Sequence, residues 1–130
     1  MPPFATRRLA EAPLVRAPDG SEVRVLLSVA GGGMAQFALR PGQVARAVRH
    51  RTVEEVWFVT EGRGEMWRSQ DGRDEVTALS RGLCVTIPLG TSFQFRAAAD
   101  APLVAVAVTM PPWPGKDEAV SVEGPWIPNV

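Results

Sequence analysis

Apolar and polar residues alternate with period two in short runs along this chain, and glycine or proline ends almost every run. The runs are rich in Val, Phe, Trp and Thr, residues that suit a pleated, half-buried surface. They predict strands near 23–29 ("VRVLLSV"), 34–40 ("MAQFALR"), 44–49, 54–60 ("EEVWFVT"), 63–68, 75–79, 83–87 ("LCVTI"), 92–97 and 102–109 ("PLVAVAVT"). Gly62-Arg63-Gly64 and Asp71-Gly72 read as hairpin turns, and Pro18-Asp19-Gly20 as a further turn. No stretch carries a convincing helical period. Many short strands at regular spacing predict an all-β antiparallel sandwich or barrel.

The pattern changes at the C-terminal end, "MPPWPGKDEAVSVEGPWIPNV", which holds five prolines and two tryptophans. It predicts an extended tail with one helical turn at 116–119. Its apolar residues Trp113, Val120, Val122 and Trp126 would cover a sheet face or a partner subunit. The expected organisation is an N-terminal arm and edge strand over 1–22, a barrel over 23–110, and the tail over 111–130.

Composition mainly excludes. A chain of 130 residues is one domain, long enough to bury a core. Its 14 basic and 14 acidic residues balance, and the arginines are scattered. The electrostatic case for nucleic acid or an anionic membrane is therefore absent. No run of 18 apolar residues occurs, and the first residues lack the apolar centre of a secretory signal, so a soluble, cytoplasmic protein is expected. The single cysteine, Cys84, rules out an internal disulfide framework and a Cys-rich zinc site; its apolar surroundings predict a buried, inert thiol. Gly31-Gly32-Gly33 lacks the lysine and helix of a phosphate loop and reads as a flexible turn.

One stretch carries candidate chemistry. "PGQVARAVRHRTVEEVWFVTEG" holds the only histidine, His50, five positions before Glu55. Here the chain resembles the cupin superfamily, whose small jelly-roll barrels carry G-x5-H-x-H-x(3,4)-E-x6-G and G-x5-P-x-G-x2-H-x3-N. Gly42, His50, Glu55 and Gly62 match the first motif, with Val48 at its other histidine position. Gly82, Pro88 and Gly90 match the second, with Phe93 for the histidine and Ala97 for the asparagine. The resemblance implies a double-stranded β-helix, that is, a jelly-roll barrel with the Pro- and Trp-rich tail appended. It also implies a site for a divalent ion held by three histidines and a glutamate. Only His50 and Glu55 remain of that set, fewer donors than the three a protein normally supplies to a tightly held ion. Cys84, Glu54 and Glu65 are the further donors within sequence reach.

Strand alternation puts Val48 and His50 on one face together with Arg46, Glu55 on a face with Trp57 and Val59, and Phe93 with Phe95. The implied cavity has His50, Glu55 and Arg46 as polar groups, lined by Val48, Trp57, Met66, Phe93 and Phe95. His50 and Glu55 could act as an acid–base pair, imidazole being the side chain that exchanges protons near neutral pH, or stand as an inherited structural pair. Arg46 could anchor a substrate carboxylate, or lie on the rim. The aromatic residues are core or ligand platform. The expectation is a barrel that binds a small molecule without a tightly bound cofactor. The alternative is a cupin-type enzyme (isomerase, cyclase, lyase or dioxygenase) using His50 and Glu55, with Fe, Mn, Ni or Zn if an ion is held. Whether the protein catalyses a reaction stays open at this stage. Family resemblance and the tail together imply a homodimer.

Overall fold

The computed structural model describes residues 2–115 and 117–130. Among the described residues ten strands form: β1 (Leu14–Arg16), β2 (Glu22–Val29), β3 (Gly32–Leu39), β4 (Val48–His50), β5 (Glu54–Gln70), β6 (Arg73–Ser80), β7 (Cys84–Ile87), β8 (Ser92–Ala97), β9 (Leu103–Met110) and β10 (Ala119–Ser121). A single 3-10 turn, Leu9–Glu11, precedes them. No helix among the described residues is long and apolar enough to cross a membrane. All strand pairs are antiparallel. One sheet runs β1-β2-β3-β9-β5-β7 and the other β6-β5-β8-β4-β10. Two sheets facing each other and sharing one strand make a jelly-roll barrel, as the strand pattern and the resemblance imply.

The shared strand corrects one expectation. Gly62-Arg63-Gly64 is no hairpin; β5 continues through it for 17 residues. Glu54–Gly62 pairs with β9 in the first sheet, and Arg63–Gln70 pairs with β6 in the second. The register shifts between Val59 and Glu61, which bends the strand from one sheet into the other. The glycines are needed for close approach rather than for a turn. Gly62 has φ +80°, and a methyl group there would run into the Pro102 carbonyl; one at Gly64 would run into that of Arg96.

Inward positions on β5 fall on odd numbers up to Val59 and reach Met66 after the bend, because one extra residue reverses strand parity. The core between the sheets gathers Leu39, Val48, Trp57, Met66, Phe93 and Phe95, each at most 3 % exposed. On β9 the alternation is regular, with Leu103, Ala105 and Ala107 inside and Val104, Val106 and Val108 half-buried on the outer face.

The segment expected as a strand at 44–49 is regular only from Val48. Before it, Val44 makes an isolated bridge to Arg96, and the Arg46 N–H donates to the Asp19 carbonyl. The tail returns along β4: β10 pairs with it, placing Ala119 opposite His50. Farther on, the Gln94 side chain donates to the carbonyls of Ala45 and Trp126 and accepts from the Trp126 N–H. The Asn129 side chain accepts from Val44 N–H and donates to the Gly42 carbonyl. The helical turn expected at 116–119 falls partly on Lys116, outside the described residues; Ala119 belongs to β10.

Gly62→Ala is expected to cost at least ~2 kcal/mol, since it combines a left-handed backbone with a blocked methyl position. Urea unfolding of the variant checks this; a loss of under half that amount would mean the bend can shift to accept a side chain.

Candidate functional site

β4 turns Val48 and His50 inward and Arg49 outward, and the first half of β5 turns Glu55 and Trp57 inward. β8 supplies Phe93 and Phe95. Seven of the expected pocket residues thus meet in the barrel: Val48, His50, Glu55, Trp57, Met66, Phe93 and Phe95, all buried. The Phe95 ring stands edge-on to Trp57 at 4.9 Å, and Phe37 stacks on the other side at 5.0 Å. Phe93 meets His50 edge-on at 5.2 Å. The site is therefore a polar pair set in an aromatic wall.

His50 is 6 % exposed and Glu55 3 %. Glu55 uses Oε1 to accept from Trp57 Nε1 at 3.1 Å, which fixes the carboxylate. Its Oε2 stands 3.0 Å from His50 Nδ1. That contact lies off the line along which the ring would donate, so Nδ1 is buried without a hydrogen-bond partner among the described residues. A buried nitrogen in this state forgoes an interaction that folding proteins rarely leave unmade. Its neighbour is the Glu55 carboxylate oxygen, and its own surface is closed to solvent.

Two carboxyl groups beside this pair were not legible as site residues. Asp19, expected in a turn, is buried; its Oδ1 accepts from Ser21 N–H at 2.9 Å and Ser21 Oγ at 2.6 Å. Burial pushes the Asp19 carboxyl above its ordinary value; the Ser21 hydrogen bonds oppose this, Glu55 adds to it and His50 counters. An Asp followed two residues later by Ser is the available signal, since aspartate side chains bond backbone two residues on. The second is Glu118 of the tail, 4 % exposed. Desolvation raises its carboxyl, but hydrogen bonds from the Thr52 hydroxyl and N–H and from the Arg51 backbone, with the field of His50, bring it below the ordinary range.

The tail also closes the site. Trp113 lies edge-on to His50 at 5.0 Å, opposite in kind to Phe93 because it is carried by a proline-rich segment outside both sheets. The residue is 38 % exposed, so this wall of the site faces solvent.

Other candidates lie elsewhere. Arg46 is exposed, and its Nε donates to the Val130 carbonyl at 3.3 Å, so it does not join the pocket. Parity carried back from His50 fails there because 44–47 is not regular strand. Cys84 is exposed on the outer face of β7, correcting the expectation of a buried thiol. Glu54 is exposed, and Glu65 accepts from Arg96 at 2.6 Å while that guanidinium stacks on Trp126 at 4.1 Å. None of these three could complete a metal site. Among the described residues no group of three or more His, Cys, Asp or Glu side chains is placed to hold an ion.

A two-sheet β-barrel with a polar pair under an aromatic wall defines the class of small jelly-roll proteins. The chain belongs to the cupin family: the cupin-domain family matches residues 35–109. No curated protein matches it significantly. Among solved structures, the nucleoside dehydratase Pac13 of Streptomyces, determined with uridine, is similar at 13 % identity and TM-score 0.74, covering 92 % of this chain and 91 % of that one. The polyketide cyclase RemF of Streptomyces resistomycificus is similar at 17 % identity and TM-score 0.74, covering 94 % and 87 %. Oxalate decarboxylase of B. subtilis matches at 13 % identity and TM-score 0.75, with only 31 % of its length covered. At these identities the likeness concerns the fold. Cupins can hold metal ions, but the residues present here do not fit one well: Val48 and Phe93 stand where two histidines would be, leaving two donors.

The two carboxyl groups give opposite pH dependences. Glu118, whose folded pKa is depressed, stabilises above its ordinary range and loses that contribution as pH falls through the depressed value. Glu118→Gln should therefore cost about 1 kcal/mol at pH 7, the gap closing in acid. Asp19, whose folded pKa is raised, loses stability as pH rises through the raised value. Asp19→Asn should be at least as stable as wild type at pH 7. Urea unfolding from pH 3 to 8 reads both; an Asp19→Asn variant clearly weaker at neutral pH would reverse the second sign.

Proposed function

We propose that the barrel binds a small, partly apolar organic molecule at its mouth, against His50 and Glu55, without a tightly bound metal. The observation that carries this reading is the buried, unpartnered His50 Nδ1 beside Glu55, under a half-exposed ring on the tail. An apolar wall with a few convergent polar groups is the usual make-up of such a site. The strand-borne side chains leave little room, so the ligand enters where Trp113 stands. Its ring takes the place of the indole against His50, and the tail shifts to admit it.

A second reading, catalysis, is favoured by the same pair. An imidazole nitrogen without a partner, beside a carboxylate held by Trp57, can take a proton from a ligand or return one. Glu55 orients the charge and His50 carries the proton. An elimination or cyclisation needs only such transfers, which agrees with a dehydratase and a cyclase sharing this barrel. Dioxygen chemistry would call for an ion that two donors hold poorly.

The protein is further read as a cytoplasmic homodimer. Met34, Val56 and Phe58 are exposed on the outer face of the first sheet, beside the half-buried Val106 and Val108, an apolar surface that a second copy would cover.

A thermal-shift screen of small aromatic and heteroaromatic compounds tests binding. A ligand present at 100 times its Kd adds about 2.7 kcal/mol of stability. Trp113→Ala should bind the same hit more tightly, and His50→Ala should lose it. A hit unaffected by both changes would place binding elsewhere. Elemental analysis of protein purified without added metal is the companion measurement: stoichiometric Fe, Mn, Ni or Zn that vanishes in His50→Ala would overturn the metal-free reading. For catalysis, equal turnover by wild type and the His50→Ala, Glu55→Gln double variant would remove the pair from the reaction.

A further inference from the structure

We infer that a polar cleft beside Arg68, separate from the His50 pocket, is a binding site for a small oxyanion, a carboxylate or a phosphate. The cleft has a volume of about 250 Å³ and is lined by Arg68, Gln70, Arg73, Glu75, Thr86 and Thr91, with Pro88 at its side. The barrel's own register places it. Across the second sheet Val48 pairs with Phe93, Phe93 with Arg68, and Arg68 with Glu75. Arg68 thus shares the inner face with two pocket residues, yet stands two strands from Val48, about 10 Å at the usual strand spacing.

The state of its guanidinium argues for a ligand. Nη1 donates to the Thr86 carbonyl on the opposite sheet at 2.9 Å, and Nη2 to Thr77 Oγ1 at 3.0 Å. These two bonds tie the group between the sheets and fix its plane. A guanidinium has five N–H groups, so three have no hydrogen bond among the described residues. Glu75 does not take them up: its nearest oxygen is 3.6 Å from Arg68 Nη2, beyond hydrogen-bond range. Glu75 is committed to Arg73 at 2.9 Å and also accepts from Thr77 at 3.2 Å. The hydrogen bond from Arg73 is the main cause that holds the Glu75 carboxyl below its ordinary range, Thr77 adding to it.

A fixed, partly free guanidinium matches a planar carboxylate or a phosphate face, which accept from parallel N–H groups. With two arginines and one glutamate, the lining carries a net positive charge of one among these residues. The amide of Gln70 adds a neutral hydrogen-bonding group. The volume falls below the roughly 300–1,000 Å³ of drug-sized sites, so the occupant is a small acid or phosphate.

Malonate, inorganic phosphate and the uncharged malonamide are the probes, titrated at low ionic strength into protein labelled for amide NMR. Malonate or phosphate should shift amides in 68–75 and 86–91 saturably while malonamide does not; the tighter of the two anions identifies the geometry preferred. Arg68→Gln should weaken binding at least tenfold, with Arg68→Lys recovering only part. Glu75→Gln, an exposed change that removes the competing carboxylate, should tighten it severalfold, and it serves as the decisive variant if Arg68→Gln fails to fold. His50→Ala should leave it unchanged, so failure here is distinct from failure of the pocket beneath Trp113. Absence of saturable shifts with both anions, equal shifts with malonamide, or unchanged or weaker binding in Glu75→Gln would overturn the assignment.

Discussion

The structure depends on β5 serving two sheets in one uninterrupted strand. Its first half pairs with β9 and β7, its second with β6 and β8, and the bend at Gly62 is where the barrel closes. A strand shared in this way joins the two sheets and fixes which of its side chains face inward. The extra residue at the bend lets Glu55 and Trp57, on odd positions, share an interior with Met66 and Arg68, on even ones. The inward placing of both Met66 and Arg68 follows from that single change of parity.

Within this frame the barrel core is apolar, with His50 and Glu55 as buried polar residues beside it. Val48 and Phe93, with the other large apolar side chains, make the centre of the barrel hydrophobic core, worth about 1.5–3 kcal/mol for each large side chain buried. What is left of the polar site is a carboxylate held by an indole N–H and an imidazole nitrogen with no partner. Burying such groups costs free energy unless they are satisfied, and Trp113 covers the pair without satisfying it. A site left short of hydrogen bonds in an otherwise well-paired barrel is where a ligand gains most.

The tail has a larger part than its composition suggests. Glu118 grips Thr52, β10 extends the sheet beyond β4, and Gln94 and Asn129 fasten the remainder. Gly124 packs so closely on Gln94 and Ala47 that a side chain there would displace them. These anchors all lie beyond the short proline-rich stretch at the start of the tail, and Trp113 sits on that stretch. The tail is thus secured along β4 while its one residue over His50 remains half-exposed.

The sequence by itself determined most of the strands, the two motifs and the His50–Glu55 spacing, because alternation is local and survives without knowledge of the partner strands, whereas the turn read at Gly62-Arg63-Gly64 is continuous strand. It also placed Val48, Trp57, Phe93 and Phe95 on inward faces, and Met66 among them. Tertiary structure alone decided the rest. Arg46 points to the C-terminal end rather than the pocket, since the backbone before Val48 bonds to the Asp19 turn and leaves strand geometry. Asp19 is drawn inside, Arg68 faces inward after the bend, and Trp113 reaches His50 across more than sixty residues of chain. Each of these depends on a long-range contact or a change of strand parity that the neighbouring residues do not specify; only Asp19 carries a local signal, the Ser two positions on.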